Sequence, residues 1–253
     1  MALLEVSGLS KAFGGVLAIQ NVSFSVEPGI VYSVIGPNGA GKTTLFNLIT
    51  GVYPPDVGLV RIAGESVTGL APHQLARKGV ARTFQNLQIC ANMTAIENVM
   101  LGGHLFLDRN LIKSMLHFPS LRRGEFALRE SAIELMRYVG LAAYLESEAS
   151  AMPYGALKRL EIARALAARP RILFLDEPAA GFNPFETAEI DDLIRKIADS
   201  GVTIVLVEHD MKLVMNISDR ILVLNYGEKL AEGAAREVRR NPDVIAAYLG
   251  KAA

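Results

Sequence analysis

One loop constrains the fold of this chain more than any other feature of its sequence. Residues 36–44 read GPNGAGKTT and match the pattern G-x-x-x-x-G-K-[ST] at their first eight positions. In this pattern the glycines let backbone N–H groups surround the α and β phosphates, the lysine reaches the β and γ oxygens, and the hydroxyl can ligate Mg²⁺. The loop requires a strand before it and a helix after it, so it predicts an α/β fold that binds a nucleoside triphosphate.

The sequence on both sides of the loop supplies that context. An apolar run at residues 30–35 predicts a strand that ends where the loop begins, and residues 45–49 continue with helical spacing. The helix should begin near Lys42, with its positive end at the phosphates. A Gly-rich turn without a ligand is the alternative, and the order strand, loop, helix argues against it. The predicted nucleotide-binding residues of the loop are Gly36, Pro37, Asn38, Gly39, Ala40, Gly41, Lys42, Thr43 and Thr44.

The composition limits the size and class of the protein. With 253 residues, 51% of them hydrophobic, the chain can bury a parallel sheet within one large domain. Basic and acidic residues balance at 26 each, which argues against nucleic-acid binding. No apolar run approaches the roughly 20 residues of a membrane-spanning helix, and the N-terminus does not resemble a signal peptide. The single cysteine, Cys90, is expected to be buried filler in a reducing cytosol.

Alternating apolar residues near the N-terminus predict a second, antiparallel layer. They lie at residues 4–9 and 22–26, and a Pro–Gly turn separates the second run from the strand that leads into the loop. We therefore expect a P-loop NTPase fold: a mainly parallel sheet core, an N-terminal antiparallel β subdomain and an inserted α-helical subdomain.

The middle of the chain changes from strand patterns to helix patterns. It opens with a capping box at residues 94–97, passes through an irregular Gly/Pro region at 102–124 and enters an amphipathic stretch at 125–139. We expect a single domain, residues 1–253, in which 1–85 and 168–253 form the core and 86–167 the helical subdomain.

A second chemical motif is an apolar run that ends in two acids, RILFLDE at residues 171–177. Asp176, at the tip of the predicted strand, is placed to hold Mg²⁺ opposite Thr43, and Glu177 to orient the water that attacks the γ-phosphate. The alternative, a strand that merely ends in a turn, is disfavoured by the upstream loop. Three histidines lack the spacing of metal ligands and are expected to be structural or solvent-exposed: His73, His104 and His117.

These motifs resemble the series found in the ATPases of ABC transporters. The stretch YGALKRLEIARAL is similar to the signature that precedes the acidic strand in that family. There the nucleotide loop is followed by a glutamine, the signature helix, the acidic strand, a D-loop and a switch histidine. All six occur here in that order, at residues 36–44, Gln85, 152–156, 172–177, 181–184 and His209. The resemblance covers essentially the whole chain and implies binding and hydrolysis of ATP with Mg²⁺.

The resemblance also implies roles for four residues outside the loop. Gly155 would approach the γ-phosphate of ATP bound by a second subunit, so ATP would join two ATPase subunits. His209 would hydrogen-bond the γ-phosphate and, with Glu177, hold the water in line. Gln85 would sense the γ-phosphate or ligate Mg²⁺. Phe13 would stack on adenine, unless it belongs to the core.

The signature departs from the usual pattern of the family. Pro153, Tyr154 and Ala156 stand where serine, glycine and glutamine are usual, so only Gly155 of the nucleotide-facing residues is retained. A hydroxyl contact across the dimer is therefore lost. The departures concern contacts between subunits rather than ATP binding, and they favour pairing with a related but different subunit.

The D-loop departs in its charge. Asn183 stands where the family usually has aspartate, which keeps the hydrogen-bonding shape without the charge. The same residue fits a helix N-cap, because Pro184 follows it and Glu186 would complete a capping box. Asn183 is therefore expected to cap a helix as well as to lie in the D-loop.

Within the family, the chain is similar to the ATPase subunits of branched-chain amino-acid importers. This similarity rests on the Pro-Tyr-Gly signature followed by RLEIAR, on the stretch AAGFNP, and on C-terminal segments at residues 232–233, 241–242 and 247–250. It implies a heterodimer of related ATPase subunits beneath integral-membrane permeases, at the cytoplasmic face of the inner membrane. An extracytoplasmic solute-binding protein would serve the permeases, and a homodimer is the alternative for the isolated chain.

Other functions remain as alternatives. An importer ATPase for another small polar solute, such as urea, would have the same nucleotide site. A soluble ABC ATPase that acts on nucleic acid or ribosomes typically has fused cassettes or basic extensions, which this sequence lacks. A regulatory module with weak hydrolysis fits the altered signature, whereas Glu177 and His209 argue against it.

Overall fold

The computed structural model describes residues 2–104 and 119–249, without the side chains of 119–123 and 249. His117, most of the irregular region and Gly250 of the C-terminal similarity lie outside the described residues. The chain divides into two compact units: a nucleotide-loop unit, made of the residues up to Arg82 and from Arg171 onward, and a helical unit between Thr83 and Pro170.

The secondary structure of the described residues alternates strands and helices. The strands are β1 (Leu4–Phe13), β2 (Val16–Val26), β3 (Val31–Ile35), β4 (Val57–Ile62), β5 (Glu65–Ser66), β6 (Val80–Arg82), β7 (Ile172–Asp176), β8 (Thr203–Val207), β9 (Arg220–Asn225) and β10 (Glu228–Gly233). The helices are α1 (Lys42–Ile49), α2 (Pro72–Arg77), α3 (Ala95–Gly102), α4 (Pro119–Tyr138), α5 (Tyr154–Ala167), α6 (Pro184–Asp199), α7 (Met211–Ile217), α8 (Ala235–Val238) and α9 (Pro242–Leu249). None of these helices combines the length and apolar content needed to cross a bilayer.

The nucleotide-loop unit contains two sheets. The larger has six strands in the order β10-β9-β3-β8-β7-β6, parallel except for the antiparallel pair of β9 and β10. The smaller is antiparallel, in the order β2-β1-β4-β5. This arrangement confirms the predicted fold class, a mainly parallel core with an N-terminal antiparallel β layer.

The central strands of the larger sheet are buried on both faces. Every residue of β3, β7 and β8 is buried, as expected for apolar strands without alternation. A cluster of apolar side chains from both sheets and α1 forms the core, in which the rings of Phe46 and Phe174 meet edge to face at 5.2 Å. Because these strands are parallel, the segments that follow them emerge at one edge of the sheet.

The helical unit contains α3, α4 and α5. Thr94 caps α3: its Oγ1 accepts a hydrogen bond from the N–H of Glu97, and its own N–H donates to the Glu97 carboxylate. The predicted capping box is confirmed. The interpretation of residues 102–124 as irregular is wrong at its end, because α4 begins at Pro119. Helix α3 lies very close to α5: a Cβ atom on Gly102 would clash with the carbonyl oxygen of Arg164.

Candidate nucleotide-binding site

The loop between β3 and α1 has two glycines at which both the backbone torsion and close neighbours exclude a side chain. Gly36 has a φ of +154° and Gly41 a φ of +99°. A Cβ atom at Gly41 would lie 2.6 Å from the Ala18 carbonyl oxygen, and one at Gly36 would clash with the carbonyl oxygen of Leu224. The spacing of the glycines in the motif therefore reflects both backbone torsion and close packing against neighbouring strands.

Lys42 is the first residue of α1 and is buried. Its Nζ donates hydrogen bonds to the carbonyl oxygens of Gly36, at 2.7 Å, and Pro37, at 3.1 Å, so the loop folds back onto its lysine. Burial lowers the pKa of the Lys42 ammonium, while the negative charges of Glu177 and Asp176 act in the opposite direction. The lysine and the two acids therefore share one electrostatic environment at this edge of the sheet.

Asp176 ends β7 and forms a buried ion pair that sequence reasoning missed. Its Oδ2 lies 2.9 Å from a guanidinium nitrogen of Arg82, and the two side chains are 4% and 7% exposed. Arg82 also donates to Asn47 at 2.6 Å and to Thr50 at 2.9 Å. The only signal in the sequence is an arginine three residues before Gln85.

Glu177 and His209 meet after β7 and β8. The His209 Nε2 lies 2.9 Å from the Glu177 Oε1, and their side chains are 44% and 18% exposed. Glu177 has a φ of +50°, in the left-handed region that non-glycine residues adopt at a cost of roughly 1–2 kcal/mol. Strain of this kind is often retained at functional positions. The structure thus brings together the two predicted catalytic residues of this unit.

Two further residues predicted to contact the nucleotide, Gly155 and Gln85, lie in the helical unit. Gly155 is the second residue of α5, whose N-cap residue, Pro153, offers no side-chain acceptor. Gln85 is exposed, and its carbonyl oxygen accepts a hydrogen bond of 3.2 Å from the Nζ of buried Lys158.

Helix α5 holds the segment around Gln85 through further charged side chains that sequence reasoning also missed. The Oε1 of buried Glu161 accepts a hydrogen bond of 3.2 Å from the N–H of Phe84, and Arg164 donates to the carbonyl oxygen of Gln88. Burial raises the pKa of the Glu161 carboxyl, and the bond from Phe84 and the charges of Lys158 and Arg164 oppose this effect. These side chains therefore fix the backbone of residues 84–88 on the signature helix.

Phe13 lies at the surface of the antiparallel sheet rather than in the core. Its side chain is 43% exposed and meets the ring of Tyr53 edge to face, with centroids 5.5 Å apart. The Nζ of Lys11 lies 5.6 Å from the centroid of Phe13. One face of an exposed, oriented aromatic ring can stack on a base.

Asn183 caps α6, and the predicted capping box is confirmed. Its Oδ1 accepts hydrogen bonds from the N–H groups of Phe185, at 2.9 Å, and Glu186, at 3.0 Å. The Glu186 carboxylate accepts one from the N–H of Asn183 in return, at 3.0 Å.

A magnesium site fits the residues present. No group of three or more His, Cys, Asp or Glu side chains that could hold a metal ion occurs among the described residues. Mg²⁺ bound with a nucleotide needs few protein ligands, because phosphate oxygens and water complete its octahedron. Thr43 is exposed at the start of α1, and the second oxygen of Asp176 is a ligand of the type that Mg²⁺ prefers. His73 and His104 are exposed, and Cys90, expected to be buried, is half-buried.

Comparisons with known proteins cover almost the whole chain. The family described as "ABC transporter" matches residues 19–180, and the family "Branched-chain amino acid ATP-binding cassette transporter" matches residues 228–253. The high-affinity branched-chain amino acid transport ATP-binding protein BraF of Pseudomonas aeruginosa is 50% identical over 99% of this chain and 98% of its own length.

Solved structures extend the similarity to the whole fold. The ADP conformation of MJ1267, an ATP-binding cassette of an ABC transporter, is 32% identical with a TM-score of 0.86, over 99% of this chain and all of the other. The dimeric, post-hydrolysis state of the ATP-binding cassette MJ0796, bound to ADP and Pi, is 26% identical with a TM-score of 0.76, over 92% and 99% of the two chains.

Proposed function

Because the chain belongs to the ABC transporter family, as its motifs predicted, we propose that it is the ATP-hydrolysing subunit of an importer for branched-chain amino acids. The proposal of ATP hydrolysis rests on the hydrogen bond between Glu177 and His209, beside the loop that contains Lys42. The name of the BraF relative and the match of the C-terminal residues 228–253 support the choice of solute.

ATP binds through its phosphates to the loop of the nucleotide-loop unit. The backbone N–H groups of residues 36–44 surround the α and β phosphates, and Lys42 exchanges its bonds to the loop carbonyls for the β and γ oxygens. Thr43 and Asp176 would hold Mg²⁺, which would neutralise charge on the transferred phosphoryl group, and the family resemblance implies Gln85 as a further ligand. Phe13 stacks on the adenine ring.

Hydrolysis requires a water molecule in line with the bond between the β and γ phosphates. Glu177 accepts a hydrogen bond from this water and draws a proton from it as the oxygen attacks the γ-phosphorus, so that ADP leaves. His209 is hydrogen-bonded through Nε2 to the Glu177 carboxylate, and in exchange for that bond it donates to the γ-phosphate as charge develops. Arg82 orients the Asp176 carboxylate through the hydrogen bond that it donates to Oδ2.

A second ATPase subunit completes the site. Gly155, at the start of α5, lets the backbone of that helix approach the γ-phosphate bound by the partner. The dimeric state of the similar cassette MJ0796 supports such an assembly. ATP that touches both subunits stabilises the closed dimer, and hydrolysis removes that preference. We place the dimer at the cytoplasmic face of the membrane beneath permease subunits, and the altered signature favours a related, non-identical partner.

The proposal is tested by purifying the tagged chain from detergent-solubilised membranes of its own host. Polytopic membrane proteins and a second ATPase should be recovered with it; recovery only with ribosomes or nucleic acid would overturn the transport function. When the complex is reconstituted with candidate solute-binding proteins, leucine, isoleucine or valine should stimulate ATP turnover. Stimulation by urea alone would reassign the solute.

Two substitutions test the site within the same complex. Glu177→Gln should lower turnover by about 10²–10⁴-fold with ATP binding retained, because it removes the base but not the phosphate contacts. Lys42→Ala should abolish ATP binding. Glu65→Gln, at an exposed residue of the antiparallel sheet, is the matched control and should leave both unchanged. Full turnover of Glu177→Gln would favour a regulatory module.

A further inference from the structure

A buried glutamate that the mechanism does not use lies next to the catalytic pair. Glu208 follows β8 and is 4% exposed. One of its oxygens, Oε1, accepts a hydrogen bond of 2.9 Å from the N–H of Ala179. The other, Oε2, accepts from the N–H groups of His209, at 2.8 Å, and Asp210, at 3.4 Å.

These bonds join the two segments that carry the catalytic residues. Ala179 lies two residues after Glu177 and begins the stretch that leads to the D-loop. The N–H of Glu177 also donates to the carbonyl oxygen of Val207, at 2.9 Å. One carboxylate and one backbone bond therefore hold the segment after β7 against the segment after β8. Across these two segments the side chains of Glu177 and His209 meet at 2.9 Å.

The electrostatic surroundings of Glu208 argue against a purely stabilising role. Asp191, on α6, faces the same region, and its pKa is raised to about 6 by burial and by the charges of Asp210, Asp192 and Glu208. Burying a carboxylate among other acids costs free energy. An apolar residue would pack at this position without that cost, but it could not accept hydrogen bonds from both segments at once.

We propose that Glu208 is a positioning residue that keeps Glu177 and His209 in catalytic register by tying the start of the D-loop segment to the switch-histidine segment. The inference rests on the proposed ATP hydrolysis and deepens it, because the hydrogen bonds of Glu208 link the D-loop segment to the catalytic pair. A small displacement of a catalytic group can cost about 100-fold in rate, so the effect should appear in kcat rather than in ATP affinity.

The test is steady-state hydrolysis and ATP binding by the full-length chain in its purified complex, with Glu208→Gln. A glutamine has one acceptor oxygen, and its amide group would face a backbone donor, so one of the two sets of bonds is lost. We expect kcat to fall about 100-fold, with the Kd for ATP unchanged within about twofold. Glu208→Asp keeps both oxygens and the charge, and should recover at least about a tenth of the wild-type kcat.

Two further variants separate positioning from general destabilisation. Val60→Ala, in the buried face of β4, should lower the melting temperature without lowering kcat, because β4 belongs to the antiparallel sheet and not to the sheet whose strands lead into the two segments. In a His209→Ala background, Glu208→Gln should lower kcat by less than about threefold, because its effect acts through the catalytic pair.

Three results would overturn the inference. The first is a kcat for Glu208→Gln within about threefold of wild type. The second is an equal loss of kcat in Val60→Ala at the same melting temperature, and the third is that the losses of kcat from Glu208→Gln and His209→Ala multiply in the double variant. If Glu177→Gln and His209→Ala lose turnover while Glu208→Gln does not, the positioning role is wrong and the proposed function stands. If the wild-type complex does not hydrolyse ATP, the proposed function fails and the inference fails with it.

Discussion

Loss of the buried ion pair between Arg82 and Asp176 should lower the free energy of unfolding of the nucleotide-loop unit. Arg82→Met keeps an unbranched apolar stem of similar reach but removes the charge and three hydrogen bonds, to Asp176, Asn47 and Thr50. The Asp176 carboxylate, 4% exposed, is then left without its guanidinium partner. Removing one partner of a buried ion pair costs about 3–5 kcal/mol. Because the positive charge of Lys42 compensates in part, we expect Arg82→Met to lower the free energy of unfolding by about 3 kcal/mol.

The measurement is urea unfolding of the chain without nucleotide, followed by far-UV circular dichroism and by amide hydrogen exchange in β7. The exchange data assign the loss to this unit. Arg195→Met is the matched control, because Arg195 forms a half-exposed pair with Asp219 at 3.3 Å and should cost less than about 1 kcal/mol.

A double-mutant cycle identifies the cause of the loss. Asp176→Asn neutralises the carboxylate, so Arg82→Met combined with Asp176→Asn should cost about 2 kcal/mol less than the sum of the single changes. If Arg82→Met costs no more than Arg195→Met, or if the two changes at the buried pair are additive, the electrostatic reasoning is refuted.

Three further predictions concern stability elsewhere in the molecule. Gly102→Ala should destabilise the helical unit by about 1–3 kcal/mol, because its Cβ meets the Arg164 carbonyl; protected exchange of α3 amides would contradict this. Asn183→Ala should cost about 1 kcal/mol through loss of the α6 cap, whereas Asn183→Asp should cost nothing measurable in urea; equal losses would exclude the capping role. Asp191→Asn should stabilise the protein by about 1 kcal/mol at pH 8, after allowance for solvent screening, and not at pH 4. Its raised pKa, about 6, means that the folded state binds the proton more tightly, so stability falls as pH rises from about 4 to 6; a gain at pH 4 would contradict this sign.

The sequence predicted the elements whose geometry is local. The order of β3, nucleotide loop and α1, the position of Asp176 at the end of β7, and the caps at Thr94 and Asn183 all depend on residues a few positions apart. Torsional preferences, dipoles and capping hydrogen bonds operate at that range, so pattern reasoning reaches them. The interpretation of residues 119–124 as irregular was wrong because the helix starts at Pro119, which is tolerated in the first turn.

Family resemblance predicted which distant motifs belong together, but not how their side chains are supported. The distance of 2.9 Å between Glu177 and His209, and the left-handed backbone of Glu177, are properties of the folded chain. No pattern in the residues near Glu177 indicates that its φ is positive. The surface position of Phe13, which the sequence left open, likewise depends on tertiary contacts such as that with the Tyr53 ring.

The sequence by itself determined that this chain has a phosphate-binding loop within an α/β core and acids at the end of a neighbouring strand. Only the tertiary structure decided that Arg82 pairs with Asp176, 94 positions away, that Lys158 holds the carbonyl of Gln85, and that Glu208 joins two catalytic segments. Local motifs are encoded by torsion and spacing. Buried charges form specific pairs only in the folded chain, because packing excludes water there and an unpaired buried charge costs free energy.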